Sequence, residues 1–267
     1  MKPILASSEY SVLESFAASE VLLAFDFDGT LAPIVRSPGD AQMRAETRRL
    51  LGHACRSYPC AVISGRARDD VRARVEPVPA ERVVGNHGSE PAPNMAELEG
   101  EIARAKPGIM AALAGLEHVE LEDKRFSLSI HYRKSPDQRE ARRAIARALK
   151  PFEKWLRVVG GKAVFNVTPH AAPHKGTALE LMRNRLGVGR AVFVGDDETD
   201  EDVFTRGRPD ELLSIRVGMH RGSAARYYIR DQREIDTLLR RLLALRPAQR
   251  TSIDASAPAA STLMLEK

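Results

Sequence analysis

The chain is poor in the residues that mark specialised environments. Cysteine occurs twice in 267 residues, as Cys55 and Cys60. That excludes a disulfide scaffold and a cysteine zinc site, and the pair reads as small buried hydrophobes at a helix end and a strand start. The seven histidines show no paired ligand spacing such as His-Glu-x-x-His. Aromatic residues contribute 5%, and none interleaves with a dense basic run. The net charge of +5 is spread along the chain, which argues against nucleic acid and leaves a surface that attracts small anions. No apolar run reaches the roughly 18 residues of a membrane span. The start, Met1-Lys2-Pro3-Ile4-Leu5 with Glu9 and Glu14 beyond it, lacks a secretory apolar region, so a cytoplasmic protein is expected. No internal repeat is evident. The sequence offers no sign of an obligate partner, and a monomer is expected.

What is present is an alternation of short apolar runs and helical periodicity. Val21-Leu22-Leu23-Ala24, Cys60-Ala61-Val62-Ile63 and Arg82-Val83-Val84-Gly85 read as strands. Thr47, Leu50, Leu51, Ala54 and Cys55 share one helix face. This grammar resumes from Lys175, with a helix over 177–186, strands over 191–194 and 212–217, and a closing helix over 232–245. Alternation of this kind predicts an α/β core with a parallel sheet. Two Pro-rich stretches, Pro91-Ala92-Pro93 and Thr168-Pro169-His170-Ala171-Ala172-Pro173, bracket a different pattern. There Phe126, Leu128, Ile130 and Tyr132 alternate with polar residues, predicting a strand with one wet face. Val119 and Leu121, and the run 162–167, read as further strands. Ala141, Ala144, Ile145, Ala148, Leu149 and Phe152 mark a helix. The expected organisation is a core over 1–91 and 173–246, an α+β cap inserted over 92–172, and a disordered Ala-, Ser- and Pro-rich tail over 247–267.

The most informative run is Phe25-Asp26-Phe27-Asp28-Gly29-Thr30. It follows an apolar strand, so both carboxylates fall at the strand's carboxyl end, where open α/β sheets bind ligands. Two crowded carboxylates repel each other and call for a cation. Mg²⁺ suits them, because it accepts carboxylate and phosphate oxygens together. An Asp-Gly turn after a strand is the bland alternative.

This string resembles the first motif of the haloacid dehalogenase (HAD) superfamily of aspartate-nucleophile phosphotransferases. Three further segments follow in that superfamily's order: Val62-Ile63-Ser64-Gly65-Arg66, His174-Lys175-Gly176-Thr177, and Val194-Gly195-Asp196-Asp197-Glu198-Thr199-Asp200. The resemblance implies a Rossmann-like core and an aspartyl-phosphate mechanism. Asp26 would be the nucleophile and Asp28 the general acid and base. Ser64 and Lys175, both expected at helix starts, would bind the transferring phosphoryl oxygens. Mg²⁺ would be held by Asp26, the backbone carbonyl of Asp28 and Asp196, with Asp197 orienting its water and Asp200 assisting or capping the next helix. Arg66 either adds to phosphate binding or braces its loop. Thr30 either fixes the Asp28 rotamer by a hydrogen bond or stabilises the turn.

Within the insert, Glu122-Asp123-Lys124-Arg125-Phe126-Ser127-Leu128-Ser129-Ile130-His131-Tyr132-Arg133 resembles the cap of trehalose-6-phosphate phosphatases. So do Gly85-Asn86-His87-Gly88-Ser89-Glu90 and Gly161-Lys162-Ala163-Val164. The likeness runs from about Val21 to Leu245. It implies a small sugar-phosphate substrate, with Glu122 and Lys124 hydrogen-bonding the distal glucose; a surface ion pair is the bland reading. His87, His131 and Arg133 are candidates for substrate contact or for structural roles. The family usually has Glu where this chain has Asn166, which keeps an acceptor but loses a charge. The chain could therefore act on another glycosyl phosphate, such as sucrose, mannosylglycerate or glucosylglycerol phosphate. A sugar phosphomutase and a non-catalytic sensor are less consistent with the insert's position and the complete Asp26, Asp28, Lys175 and Asp196 set.

Overall fold

The computed structural model describes residues 1–246 apart from Arg36 and Pro77. The tail expected to be disordered lies outside the described residues. The first part of the chain forms β1 (Lys2–Pro3), α1 (Tyr10–Ala17), β2 (Val21–Phe25), α2 (Ala45–Ser57), β3 (Cys60–Ile63), α3 (Arg68–Arg74) and β4 (Val83–Val84). The middle forms α4 (Met95–Leu113), β5 (Glu120–Asp123), β6 (Leu128–His131), α5 (Gln138–Leu149), β7 (Leu156–Gly161) and β8 (Val164–Pro169). The last part forms α6 (Lys175–Leu186), β9 (Arg190–Gly195), α7 (Glu201–Phe204), β10 (Leu212–Val217), β11 (Tyr227–Ile229) and α8 (Ile235–Leu245).

Seven strands make one parallel sheet in the order β1-β11-β10-β9-β2-β3-β4. Its middle strands are apolar throughout because both faces are covered. In β2, Val21, Leu23 and Phe25 pack with α1, α2 and α8, whereas Leu22 and Ala24 face the layer of α6 and α7. The chain leaves β2 toward β3 on one side and returns as β9 on the other. This reversal of strand order opens a crevice at the carboxyl end of β2. Register aligns the three strand ends: Phe25 lies opposite Val62 and Val194. Asp26, Ser64 and Asp196 therefore leave the sheet along one edge.

The middle residues build a second, antiparallel sheet in the order β5-β6-β8-β7. Leu128, Ile130, Phe165 and Val167 form one face and pack on Ile102 and Ile109 of α4 and Ile145 and Leu149 of α5. The alternation predicted a wet second face, but only its outer part, with Glu122 and His131, is partly exposed. Ser127 and Ser129 are fully buried, because this polar face lies over the edge of the parallel sheet. Helix α4 runs through the Pro107-Gly108 pair, residues that disfavour a helix interior.

Helices α1, α2 and α8 are tied by one side chain. The Tyr58 hydroxyl donates toward the carbonyls of Ala17 (3.2 Å) and Leu242 (2.7 Å). Burial pushes its phenol up to about 12, so it remains a neutral donor. Tyr58→Phe leaves those carbonyls without this donor and should cost about 1–2 kcal/mol of stability, read as a lower urea midpoint at unchanged slope.

Candidate active site

At the end of β2, Asp26 is buried, and its backbone N–H continues the ladder to the Val194 carbonyl (2.9 Å). Lys175, the first residue of α6, is buried beside it. Its Nζ lies 2.8 Å from Asp26 Oδ1 and 2.8 Å from Asp200 Oδ1. The helix is started there by a capping arrangement in which the His174 backbone N–H donates to Thr177 Oγ1 (3.1 Å). The other Asp200 oxygen accepts the backbone N–H groups of Asp196 (2.8 Å) and Asp197 (2.9 Å). Asp200 thus fastens the loop after β9 and makes no side-chain cap on α7.

Carboxylate oxygens of Asp26, Asp196 and Asp200 come within 4.8 Å of one another. Gly29 makes this approach possible. Its φ is +83°, and a Cβ there would lie 2.0 Å from Asp196 Oδ2. Burial drives the Asp26 carboxyl well above the usual range; Lys175 opposes that, and Asp200 and Asp196 add to it. Burial raises Asp196 to about 6, against the Lys162 ammonium with which it is ion-paired. Asp197 is raised by burial as well. For Lys175, burial alone would favour the neutral amine, but Asp200 and Asp26 outweigh it and raise its pKa.

The donor set fits a hard divalent cation. It is all oxygen, it is buried, and Asp196 Oδ1 is sealed from solvent without a hydrogen-bond partner. Of the five expected metal-site residues, the structure clusters the carboxylates of Asp26, Asp196 and Asp200. The Asp28 carboxylate is outside the cluster, since Arg66 holds it by two hydrogen bonds of 2.7 Å. Asp197 also lies outside it and lines the cavity nearby.

Arg66 lines the cavity with its guanidinium engaged by the Asp28 carboxylate. It also donates to Asp70 (2.7 Å) and the Pro38 carbonyl (2.7 Å), and it lies over the Phe27 ring. Thr30 makes no hydrogen bond to Asp28; its Oγ1 is buried without a partner among the described residues. Ser64 does not start a helix, because α3 begins at Arg68. Its buried Oγ accepts the Arg66 backbone N–H (3.2 Å).

The sheet edge and the polar face of the cap enclose a cavity of about 270 Å³. Asp26, Asp28, Lys175 and Asp196 line one end; Glu122, Lys124, His131 and Asn166 line the other. Lys124 Nζ donates to the Gly65 carbonyl (3.0 Å) and to Ser129 Oγ (2.8 Å), and lies 3.5 Å from Glu122. Ser129 Oγ donates in turn to Asn166 Oδ1 (2.9 Å), and His131 Nε2 meets Glu122 Oε2 at 2.8 Å. Burial favours the neutral acid at Glu122, but His131 and Lys124 outweigh it and hold its pKa below the ordinary value. Arg133 ties the cap to the core through the Val35 carbonyl (2.6 Å). His87 lines the cavity between its two ends.

Two residues were given no role beforehand. Lys162, at the β7–β8 turn, reaches Asp196. Arg216, in β10, donates to the Asp196 carbonyl (2.8 Å) and to Glu201 (2.8 Å). An arginine inside the apolar run Leu212–Val217 is the signal that could have found the second.

Comparison with known proteins adds the following. Residues 24–232 match the family model described as Trehalose-phosphatase. A trehalose-phosphate phosphatase of Mycobacterium avium is 34% identical over 76% of this chain, which spans 56% of that protein's length. A trehalose 6-phosphate phosphatase of Zea mays is 28% identical over 86% of this chain and 72% of its own. The solved C-terminal domain of the Candida albicans trehalose-6-phosphate phosphatase shares the fold, with a TM-score of 0.77 and 21% identity over 91% of this chain and 98% of that one.

The raised Asp196 sets a sign for metal binding. A cation needs the ionised carboxylate, so affinity should fall about tenfold per pH unit below about 6. Stability follows the same linkage. With its folded pKa above the unfolded one, Asp196 should withdraw stability from the metal-free protein as pH rises from roughly 4 to 6, a contribution read as the difference between the native protein and Asp196→Asn. Titration calorimetry with Mg²⁺ at pH 5 and 7.5 checks the first; melting in EDTA across the same range checks the second.

Proposed function

We propose, for a chain that belongs to the trehalose-phosphatase family, the hydrolysis of trehalose 6-phosphate to trehalose and phosphate. The observation that carries this is the buried Asp26–Lys175–Asp196 group opening into a cavity roofed by polar cap residues. The substrate is a small sugar phosphate. The reading involves no nucleic acid and no membrane; among the described residues no helix is long and apolar enough to cross one. It takes the protein as a cytoplasmic monomer.

Asp26 attacks phosphorus, a P–O bond forms to its carboxylate, and the bond to the sugar oxygen breaks. Asp28 gives a proton to the departing oxygen. It then takes one from the water that cleaves the aspartyl-phosphate, returning Asp26 and releasing phosphate. The Arg66 fork fixes the Asp28 rotamer, and one of its hydrogen bonds must yield to the leaving oxygen. Lys175 orients Asp26 and opposes the neutralisation that burial favours. Ser64 and Lys175 are the residues assigned to the transferring oxygens, and Lys162 stands ready on the cap side. Asp26, the backbone carbonyl of Asp28 and Asp196 would hold Mg²⁺, with Asp197 beside it, and the ion supplies charge neutralisation between nucleophile and phosphoryl oxygens. Glu122, Lys124, His131 and Asn166 form the face that meets the distal glucose, and Arg133 holds that face over the core.

Phosphate release from a panel of glycosyl phosphates tests the assignment, with trehalose 6-phosphate expected to be the best substrate. Asp26→Asn should abolish turnover while leaving the melting transition intact, and EDTA should abolish it in the native protein. Substantial turnover in either case removes the mechanism.

Asp28→Asn should lose about 10²- to 10⁴-fold on the sugar phosphate and markedly less on an aryl phosphate, whose leaving group needs no proton. Equal losses on the two substrates would exclude the acid role.

A further inference from the structure

His87 lines the cavity with an imidazole that makes no side-chain hydrogen bond among the described residues. It is nine-tenths buried, and neither ring nitrogen has a partner among the described residues. Asn166 is close enough to the ring to bear on its titration, but no hydrogen bond of acceptable geometry joins them, and its Oδ1 accepts from Ser129 Oγ. Buried polar groups are almost always paired, so two bare nitrogens on one ring call for an explanation.

The backbone there is held from several sides. Asn86 and His87 both have positive φ, 46° and 59°. The His87 N–H donates to the Ser64 carbonyl (2.9 Å) and the Asn86 N–H to the Arg66 carbonyl (2.7 Å). The cap grips the same turn through Ser127 Oγ on Asn86 Oδ1 (2.6 Å), and Ser89 Oγ reaches the Pro173 carbonyl (3.0 Å) before α6. Loop 64–66 makes room for the ring: a Cβ at Gly65 would lie 2.3 Å from His87 Cε1. A left-handed conformation enforced by three neighbouring segments is what persists where a side chain must be aimed.

Resting on the sugar-phosphatase reading above, we infer that His87 reads a hydroxyl of the substrate sugar at the junction between the phosphate end and the cap. Burial, with the Lys124 and Lys175 charges, holds its imidazole well below the usual range, hence neutral. A neutral imidazole offers one N–H and one lone pair, and a hydroxyl offers the same complement. Phosphate oxygens are acceptors only and would leave the ring's lone pair facing an anion. The two nitrogens point in divergent directions, so one hydroxyl takes one of them; a sugar carries several hydroxyls and can serve both the N–H and the lone pair, whereas phosphoryl oxygens can pair only with the N–H.

The test compares His87→Phe and His87→Asn with the native protein on trehalose 6-phosphate and on p-nitrophenyl phosphate. His87→Phe should lose about 10- to 100-fold in kcat/KM on the sugar phosphate and less than about threefold on the aryl phosphate, with His87→Asn in between. Equal losses on both substrates, or none on either, overturn the inference. A second readout does not depend on the variants folding well. In ¹⁵N-histidine-labelled native protein, trehalose should move the imidazole resonance that is absent from His87→Asn, whether or not the His131 resonance moves with it; a His87 resonance that stays in place overturns the inference. If another glycosyl phosphate proves to be the better substrate, the trehalose assignment fails while His87 is judged on that substrate and its sugar. If only the aryl phosphate is turned over, both fall.

Discussion

A single buried ammonium makes this site possible. Asp26 and Asp200 sit side by side at the end of a covered sheet, where carboxylates cannot remain charged without compensation. Lys175 supplies it at 2.8 Å to each. Through Asp200 the same charge fixes the backbone of Asp196 and Asp197, so the loop after β9 takes its shape from Lys175 as well. Such an arrangement contributes little net stability, because desolvation consumes most of the attraction. Its value lies in fixing where negative charge stands at the edge of the sheet.

The two ends of the cavity differ in character. Charge at the core end is crowded and unfinished, with a bare Asp196 oxygen. At the cap end, Glu122, His131, Lys124, Ser129 and Asn166 satisfy one another in a chain. A ligand entering there exchanges existing hydrogen bonds for new ones, so that end favours correct orientation over raw attraction. The cap is held over the core by contacts remote from this chain, among them Arg157 to Asp202 (2.8 Å) and Arg133 to Val35.

Much of this was legible in the sequence because it is local. Apolar runs of four to six residues ending in Asp, Ser or Gly-Asp gave the central strands, and the register of β2 with β3 and β9 brings those ends together. What escaped notice depends on residues distant in sequence. Nothing near Arg66 says that it embraces Asp28, 38 positions away, and nothing near Thr30 says that it stays unpaired. Ser127 and Ser129 carry a strand's alternation, but alternation cannot distinguish water from the face of another domain. Glu122 and Lys124 do form an ion pair at 3.5 Å, but Lys124 is also bonded into the junction at Gly65, which the spacing of the two residues does not announce.

The insertion of the cap has a consequence for the order of folding. Strand β2 emerges early in synthesis, but its partner β9 and the lysine that neutralises Asp26 arrive only after the whole antiparallel sheet; Lys175 lies 149 positions beyond Asp26. Closing so long a loop costs little more entropy than closing one half its length, but it makes for slow, non-local assembly. Until then β2 has an unpaired edge and a carboxylate with no counter-charge. The nascent first part of the chain therefore resists premature closure of its own centre, and the parallel sheet is completed around an insert that has already been made.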